Sequence, residues 1–191
     1  MYYEELISMK ERVEVGIMPF EFDYSDIAES KSSCIVNTVN CVGVMGKGVA
    51  KAVKKKFPWS VSPYVEHCKN NLLSPGDILP VSLTVESKQK VIHYPTIIHA
   101  ATKDHWRRMS KLEWVESCLI RINEYLTINR VKSISIPKLG CGLGGLEWKI
   151  VEQLYDKYLS IEDCLVTIFD FNPDTEKSID PQQTLQFIEE E

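Results

Sequence analysis

The chain has 191 residues, with 22 Lys and Arg against 27 Asp and Glu, and a formal charge of −5. This length fits one compact domain with short extensions, and 44% hydrophobic with 26% charged residues excludes a disordered chain, a collagen and a disulfide miniprotein. No apolar run reaches the ~18 residues that a membrane span requires, so no membrane partner is expected.

Met1 to Arg12 mixes acids and bases without the apolar core of a secretory signal, and a cytoplasmic protein is expected. Cys34, Cys41, Cys68, Cys118, Cys141 and Cys164 form no CxxC pair, and none has a histidine at zinc-finger spacing. Reduced thiols and no metal centre are the expectation.

In chain order, residues 34–39 (CIVNTV) are short, β-branched and apolar, the pattern of a buried strand. Residues 47–57 carry Val49, Ala50, Val53 and Phe57 at helical spacing, and Pro58 closes that helix. Residues 78–85 and 91–101 read as strands, the second interrupted at Pro95. Leu112, Val115, Leu119, Ile122 and Leu126 share one side of a helix. A strand over 133–137, a helix over 147–159 and a last strand over 165–169 follow. Residues 172–191 hold six acids against Lys177, together with Pro173 and Pro181, and read as a loose tail that carries the whole net charge. No internal repeat is present. Alternating strands and helices predict an α/β sandwich on a mainly parallel sheet, with ligands beyond the carboxyl ends of the strands.

Seven of the nine glycines fall in two segments, Gly43 to Gly48 and Gly140 to Gly145. Each follows a predicted buried strand and precedes a helix. Glycine permits positive φ and close approach of a ligand, and free N–H groups at a helix start form an anion site. Two such loops at neighbouring strand ends could clamp a diphosphate. Neither is a P-loop: no glycine stands five residues before Gly46, and no Ser or Thr follows Lys47. The second reads GxGxGG and comes late in the chain, against a dehydrogenase.

The segment IVNTVNCVGVMGKG (35–48) resembles the first ligand loop of macrodomains, in the branch of the DarG-type DNA ADP-ribosyl glycohydrolases and the terminal ADP-ribose protein glycohydrolase. IPKLGCGLGGLEW (136–148) resembles the second loop of that branch, and TKDHWR (102–107) its TKxHWR segment. Tyr24-Ser-Asp26-Ile27 stands where macrodomains carry Gly-Asp-Ile. The resemblance covers residues 13–171, with 1–12 as an N-terminal extension and 172–191 as the acidic tail. It implies a three-layer α/β/α macrodomain with a mixed, mainly parallel sheet.

It also implies an ADP-ribose pocket and no cofactor. Asp26 and Ile27 would meet the adenine, although Asp26 could equally cap a turn. Asn37 and Asn40 would line the distal ribose. Val42, Gly43, Val44, Met45, Gly46 and Gly48 would wrap that ribose and the phosphates, with Thr102 near them. Leu139, Gly140, Cys141, Gly142 and Leu143 would cradle the diphosphate. Phe169 or Phe171 would flank the adenine.

Lys103 follows the apolar run 97–101, and in the resembling branch this lysine is catalytic. It would attack the anomeric carbon of the opened distal ribose in a Schiff-base step, or stand there as a fixed cation. Burial would lower its pKa and favour attack. The protein-directed relative carries an acid in GCGLD, and here that place is Gly144. The gap favours the DNA-directed reading.

Lys47, His105, Trp106 and Arg107 would contact single-stranded DNA, with phosphates on the cations and a base on the indole. The resemblance thus implies removal of ADP-ribose from thymidine in DNA, reversing a DarT-type transferase. A DarG-type second, toxin-binding domain does not fit in this length, which leaves direct toxin binding open. Alternatives are hydrolysis of protein-linked ADP-ribose, O-acetyl-ADP-ribose or ADP-ribose 1″-phosphate. Two further alternatives are a reader that binds without turnover and a regulatory module for NAD.

Overall fold

The computed structural model describes residues 20–87, 90–159, 161 and 163–170. The expected extension 1–12, the tail 172–191 and Phe171 lie outside these residues.

Among the described residues, eight strands and four α-helices follow in chain order. β1 (Glu21–Asp23) leads through a 3-10 turn (Ile27–Glu29) to β2 (Cys34–Asn40). α1 (Gly48–Lys56), a second 3-10 turn (Pro58–Ser60) and α2 (Val61–Lys69) come next. β3 (Ile78–Val81), β4 (Thr84–Glu86), β5 (Val91–His93) and β6 (Thr96–Lys103) precede α3 (Leu112–Ile128). β7 (Ser133–Pro137), α4 (Trp148–Tyr158) and β8 (Leu165–Phe169) complete the order.

The main sheet runs β1-β8-β7-β2-β6-β3. All its neighbours are parallel except β3, which lies antiparallel on β6. The pleat sends alternate side chains to opposite faces. Val36, Ile98, Ala100, Ile134, Ile136 and Ile168 pack on one side under α3 and α4. Ile35, Val39, Ile97 and Ala101 pack on the other under α1 and α2. Two buried layers around one sheet make the three-layer α/β/α sandwich. Among the described residues no helix is long and apolar enough to cross a membrane.

Two elements differ from the sequence reading, and a third agrees with it. The single strand expected over 78–85 is two, because only β3 joins the main sheet and β4 pairs with β5 in a separate hairpin. The strand over 91–101 breaks between β5 and β6 as expected, at Pro95, which offers no N–H to a ladder. The helix α2 was not foreseen, although Val61, Tyr64, Val65 and Cys68 hold helical spacing. Its Pro63 falls in the first turn, where proline is tolerated.

The sheet also parts at its carboxyl end. β2 and β7 pair only at Cys34↔Ile134 and Ile35↔Ser135. Beyond these residues β2 stays with β6 as far as Asn40, and β7 stays with β8 as far as Pro137. From β2 the chain winds one way to β6 and later the other way to β7. The parting therefore coincides with the topological switch point, the place where open α/β sheets hold ligands.

Candidate functional site

The two glycine loops leave the sheet on opposite sides of this crevice. The first is built on Asn40. Its Nδ2 donates to Val44 O at 2.7 Å, and its Oδ1 accepts from the N–H groups of Val42 (3.0 Å) and Val44 (3.3 Å). Gly43 takes φ +77°, which side-chain-bearing residues rarely adopt. Met45 turns into the core, while Val42 and Val44 face outward. The loop runs into α1, whose N-cap residue Lys47 makes no side-chain cap. The N–H groups of the first helical turn are therefore available to an anion.

The second loop is wound more tightly. Leu146 N donates to Gly140 O (3.0 Å), and Gly145 N to Gly142 O (3.1 Å). Gly140 takes φ +74°, with Leu146 and Val115 crowding the place of a β-carbon. A β-carbon at Gly144 would lie 2.2 Å from Gly140 O and 2.5 Å from Ser110 Oγ. The acid that the protein-directed relative carries at this place has no room here. Met109 covers Gly145 in the same way.

Lys103 joins the two sides. Between Val39 and Asn40 the β2–β6 register shifts, so Asn40 pairs with Lys103 and Thr102 forms a one-residue bulge. From there the half-buried Lys103 Nζ donates to Leu143 O. Burial lowers its pKa below the ordinary lysine value. Leu143 in turn reaches Gly48, its Cδ1 lying 3.8 Å from where a β-carbon at that residue would stand. The lysine, the start of α1 and the second loop thus share one mouth.

Beside the mouth, Asp104 turns the chain. Its backbone oxygen accepts from Cys41 N at 3.3 Å, and its carboxylate accepts from His105 N and pairs with Arg108. His105 stacks on Trp106 with centroids 5.5 Å apart, and the Arg107 guanidinium lies 4.5 Å over the same indole. Trp106 remains 46% exposed, so it is a surface platform and not core packing.

Several expected ligand residues also serve the fold. Asn37 is 0% exposed, and its Oδ1 has no hydrogen-bond partner among the described residues. Its Nδ2 lies 3.0 Å from His99 Nδ1, and His99 Nε2 lies 3.0 Å from Ser60 O. A neutral ring that accepts from Asn37 and donates to Ser60 satisfies both contacts. Burial pushes the His99 pKa down to about 4. Thr102 is buried in its bulge. Asp26 caps the first 3-10 turn, its Oδ1 accepting from Ala28 N at 2.9 Å, and the Ile27 side chain is core. Phe169, 5% exposed, packs in the core. In the expected diphosphate cradle, the N–H groups of Leu139 and Cys141 are already committed, to Tyr155 Oη (2.9 Å) and Lys138 O (3.2 Å). The side chain of Leu139 is core. Among the described residues, the N–H groups of Gly142 and Leu143 have no such partner. Nor do three His, Cys, Asp or Glu side chains gather into a metal-binding group among them.

Sequence reasoning missed Ser110, Lys138 and two tyrosines. Lys138 pairs with Asp170 at 2.6 Å while lying 4.8 Å over the Trp148 ring. Tyr155 follows Val151 by four residues on the buried face of α4, and a tyrosine in an apolar stripe needs a partner for its hydroxyl. That signal was available in the sequence.

The chain matches the Macro domain family over residues 36–155. It is similar to a Mycobacterium tuberculosis protein named DNA ADP-ribosyl glycohydrolase, at 34% identity over 146 residues, covering 75% of this chain and 40% of that protein. Its structure is similar to the macrodomain of Thermus aquaticus DarG, with a TM-score of 0.70 and 34% identity over 79% of this chain and 97% of that one. It is also similar to Thermosipho africanus DarTG in complex with ADP-ribose, with a TM-score of 0.67 and 35% identity over 81% of this chain and 43% of that one. The chain spans about 40% of the length of the curated DNA ADP-ribosyl glycohydrolases it matches.

Proposed function

The chain belongs to the Macro domain family, and from that membership we propose that it removes ADP-ribose from a modified nucleobase, thymidine in DNA, and so reverses a DarT-type transferase. One observation carries the reading: Lys103, with its pKa lowered by burial, reaches from the end of β6 to the carbonyl of Leu143 between the two glycine loops. A reader that only binds ADP-ribose has no need of such an amine.

The chemistry assigned to Lys103 has three steps. The C1″–O4″ bond breaks and O4″ takes a proton from water, which leaves C1″ as an iminium carbon still bonded to the base nitrogen. The neutral lysine amine adds to C1″, and the C1″–base bond breaks as the base leaves with a proton. Water then adds to the resulting Schiff base and releases ADP-ribose and the free amine. The protein supplies the nucleophile, and the loops hold the diphosphate and ribose still. The crowding around Gly144 supports this route over a carboxylate-assisted one on protein esters, because no acid fits there.

The stacked His105, Trp106 and Arg107, with Lys47 across the mouth, suit a single strand of DNA carrying the modified base. On this reading neutralisation of the transferase proceeds through erasure of its mark, in the cytoplasm where that mark is made.

The test uses an oligonucleotide bearing ADP-ribosylated thymidine. Wild type should release ADP-ribose, and Lys103→Ala should bind ADP-ribose without releasing it. Tight binding with no release by wild type would overturn the glycohydrolase. A panel of protein-linked, O-acetyl and 1″-phosphate substrates would then separate another hydrolase from a reader.

A further inference from the structure

Two tyrosines, each 0% exposed, stand in equivalent relations to the two loops. Tyr64 comes from α2 and donates its hydroxyl to Asn40 O at 2.8 Å, with Asn40 Oδ1 at 3.4 Å. Asn40 is the residue whose amide holds the first loop. Tyr155 comes from α4, donates to Pro137 O and accepts from Leu139 N at 2.9 Å. Those two residues flank the step at which β7 becomes the second loop. Each hydroxyl meets the main chain where a strand leaves the sheet for a glycine loop.

Neither hydroxyl is needed to fill space. The Tyr64 ring stacks on His99 with centroids 5.1 Å apart, and the Tyr155 ring packs edge-on against Trp148 and Phe20. Phenylalanine would keep those contacts. What it would lose is a hydrogen bond to backbone that is out of reach of solvent. Cys68 Sγ also lies 3.8 Å from Asn40 O, but a thiol is a weak donor and does not replace an O–H, and β2 and β7 no longer brace each other at these residues. The loops' own internal bonds fix their curl but not their placement on the strand ends.

We propose that Tyr64 and Tyr155 are positioning residues, one for each loop, and that their hydroxyls set where the first loop meets the distal ribose and where the second meets the diphosphate. This rests on the ADP-ribose reading above. The two effects are separable by ligand. ADP carries the diphosphate but not the distal ribose. Loss of the Tyr155 hydroxyl should therefore weaken ADP and ADP-ribose alike, whereas loss of the Tyr64 hydroxyl should weaken ADP-ribose more than ADP, because the first loop borders the phosphates as well as the distal ribose.

The experiment is calorimetric titration of wild type, Tyr64→Phe and Tyr155→Phe with ADP-ribose and with ADP, alongside backbone hydrogen exchange of the ligand-free proteins. One lost hydrogen bond corresponds to a drop in affinity of roughly three- to tenfold. Tyr155→Phe should show it for both ligands, with faster exchange confined to 139–146. Tyr64→Phe should show it for ADP-ribose and a smaller loss for ADP, with faster exchange confined to 41–46. Unchanged affinities in both variants overturn the proposal, and so does an equal loss of both ligands in Tyr64→Phe. Faster exchange spread through the sheet in either variant marks a merely structural role and also overturns it. If wild type bound no ADP-ribose, the reading of the ligand would fail, while the exchange pattern would still decide whether each hydroxyl holds its own loop.

Discussion

Ser110 N donates to Gly144 O at 2.9 Å, and Ser110 Oγ occupies the space that any side chain at residue 144 would enter. The segment before α3 thereby holds the second glycine loop from beneath. Gly144→Ala must push the loop off Ser110 and off the Gly140 carbonyl, and crowding of this kind costs roughly 1–3 kcal/mol. Gly142 is the control, since a β-carbon there meets nothing within 4 Å. Gly144→Ala should lower the urea midpoint and the ADP-ribose affinity together, and Gly142→Ala should leave the midpoint within experimental scatter.

The lowered pKa of Lys103 makes a kinetic prediction. A nucleophilic amine acts only when unprotonated, so turnover should rise with pH until the amine has lost its proton. The plateau should begin below the ordinary lysine value of 10.5. A fixed cation would behave in the opposite sense, with turnover falling over the same range. A pH–rate profile under single-turnover conditions on the modified oligonucleotide distinguishes the two. Lys103→Arg, which keeps the charge and loses the nucleophile, should be inactive at every pH.

His99 ties acid stability to the core. Its folded-state pKa of about 4 lies below the ordinary 6.5. The unfolded chain therefore takes up a proton that the folded chain refuses. The stability this group confers is complete above about pH 6.5 and is lost as pH falls towards 4. The loss should reach about 2–3 kcal/mol by about pH 4.5. Urea unfolding at neutral and acid pH, compared with His99→Gln, isolates this share, because the variant should fall less steeply.

The His105–Trp106–Arg107 stack predicts a division between nucleotide and DNA affinity. Trp106→Ala should weaken single-stranded DNA binding by about 1–3 kcal/mol. Arg107→Ala should reduce the salt dependence of that binding by about one phosphate contact. Neither should change the affinity for free ADP-ribose, since both side chains stand outside the crevice. Fluorescence anisotropy across a salt series measures both effects.

The layered fold was legible because its signals are local. The β-branched run at 34–39 and the helical stripe from Leu112 to Leu126 each declare their own element. The two glycine loops and Lys103 were legible by spacing and resemblance, and the structure brings them to one mouth. What could not be read was the destination of individual polar groups. Asn37 and Asn40 look alike in sequence, three residues apart on one strand. One is sealed against His99 and the other ties the first loop, because the pairing of β2 with β6 sets which neighbour each meets. Phe169 likewise lies at a strand end and still turns inward. Such choices belong to tertiary register, which no local pattern encodes.

The bulge at Thr102 makes chain length, counted in single residues, a functional quantity. In a regular ladder one residue stands opposite one, and here Thr102 is the extra residue between the pairs Val39↔Ala101 and Asn40↔Lys103. If β6 lacked it, the lysine would still stand opposite Asn40, but in a strand without the bend and added twist that aim its side chain over the crevice. A lysine kept at the right place in an alignment would then be chemically absent. Insertions and deletions between Ala101 and Lys103 should therefore separate active from inactive chains more sharply than substitutions in the same stretch, however conservative the surrounding sequence.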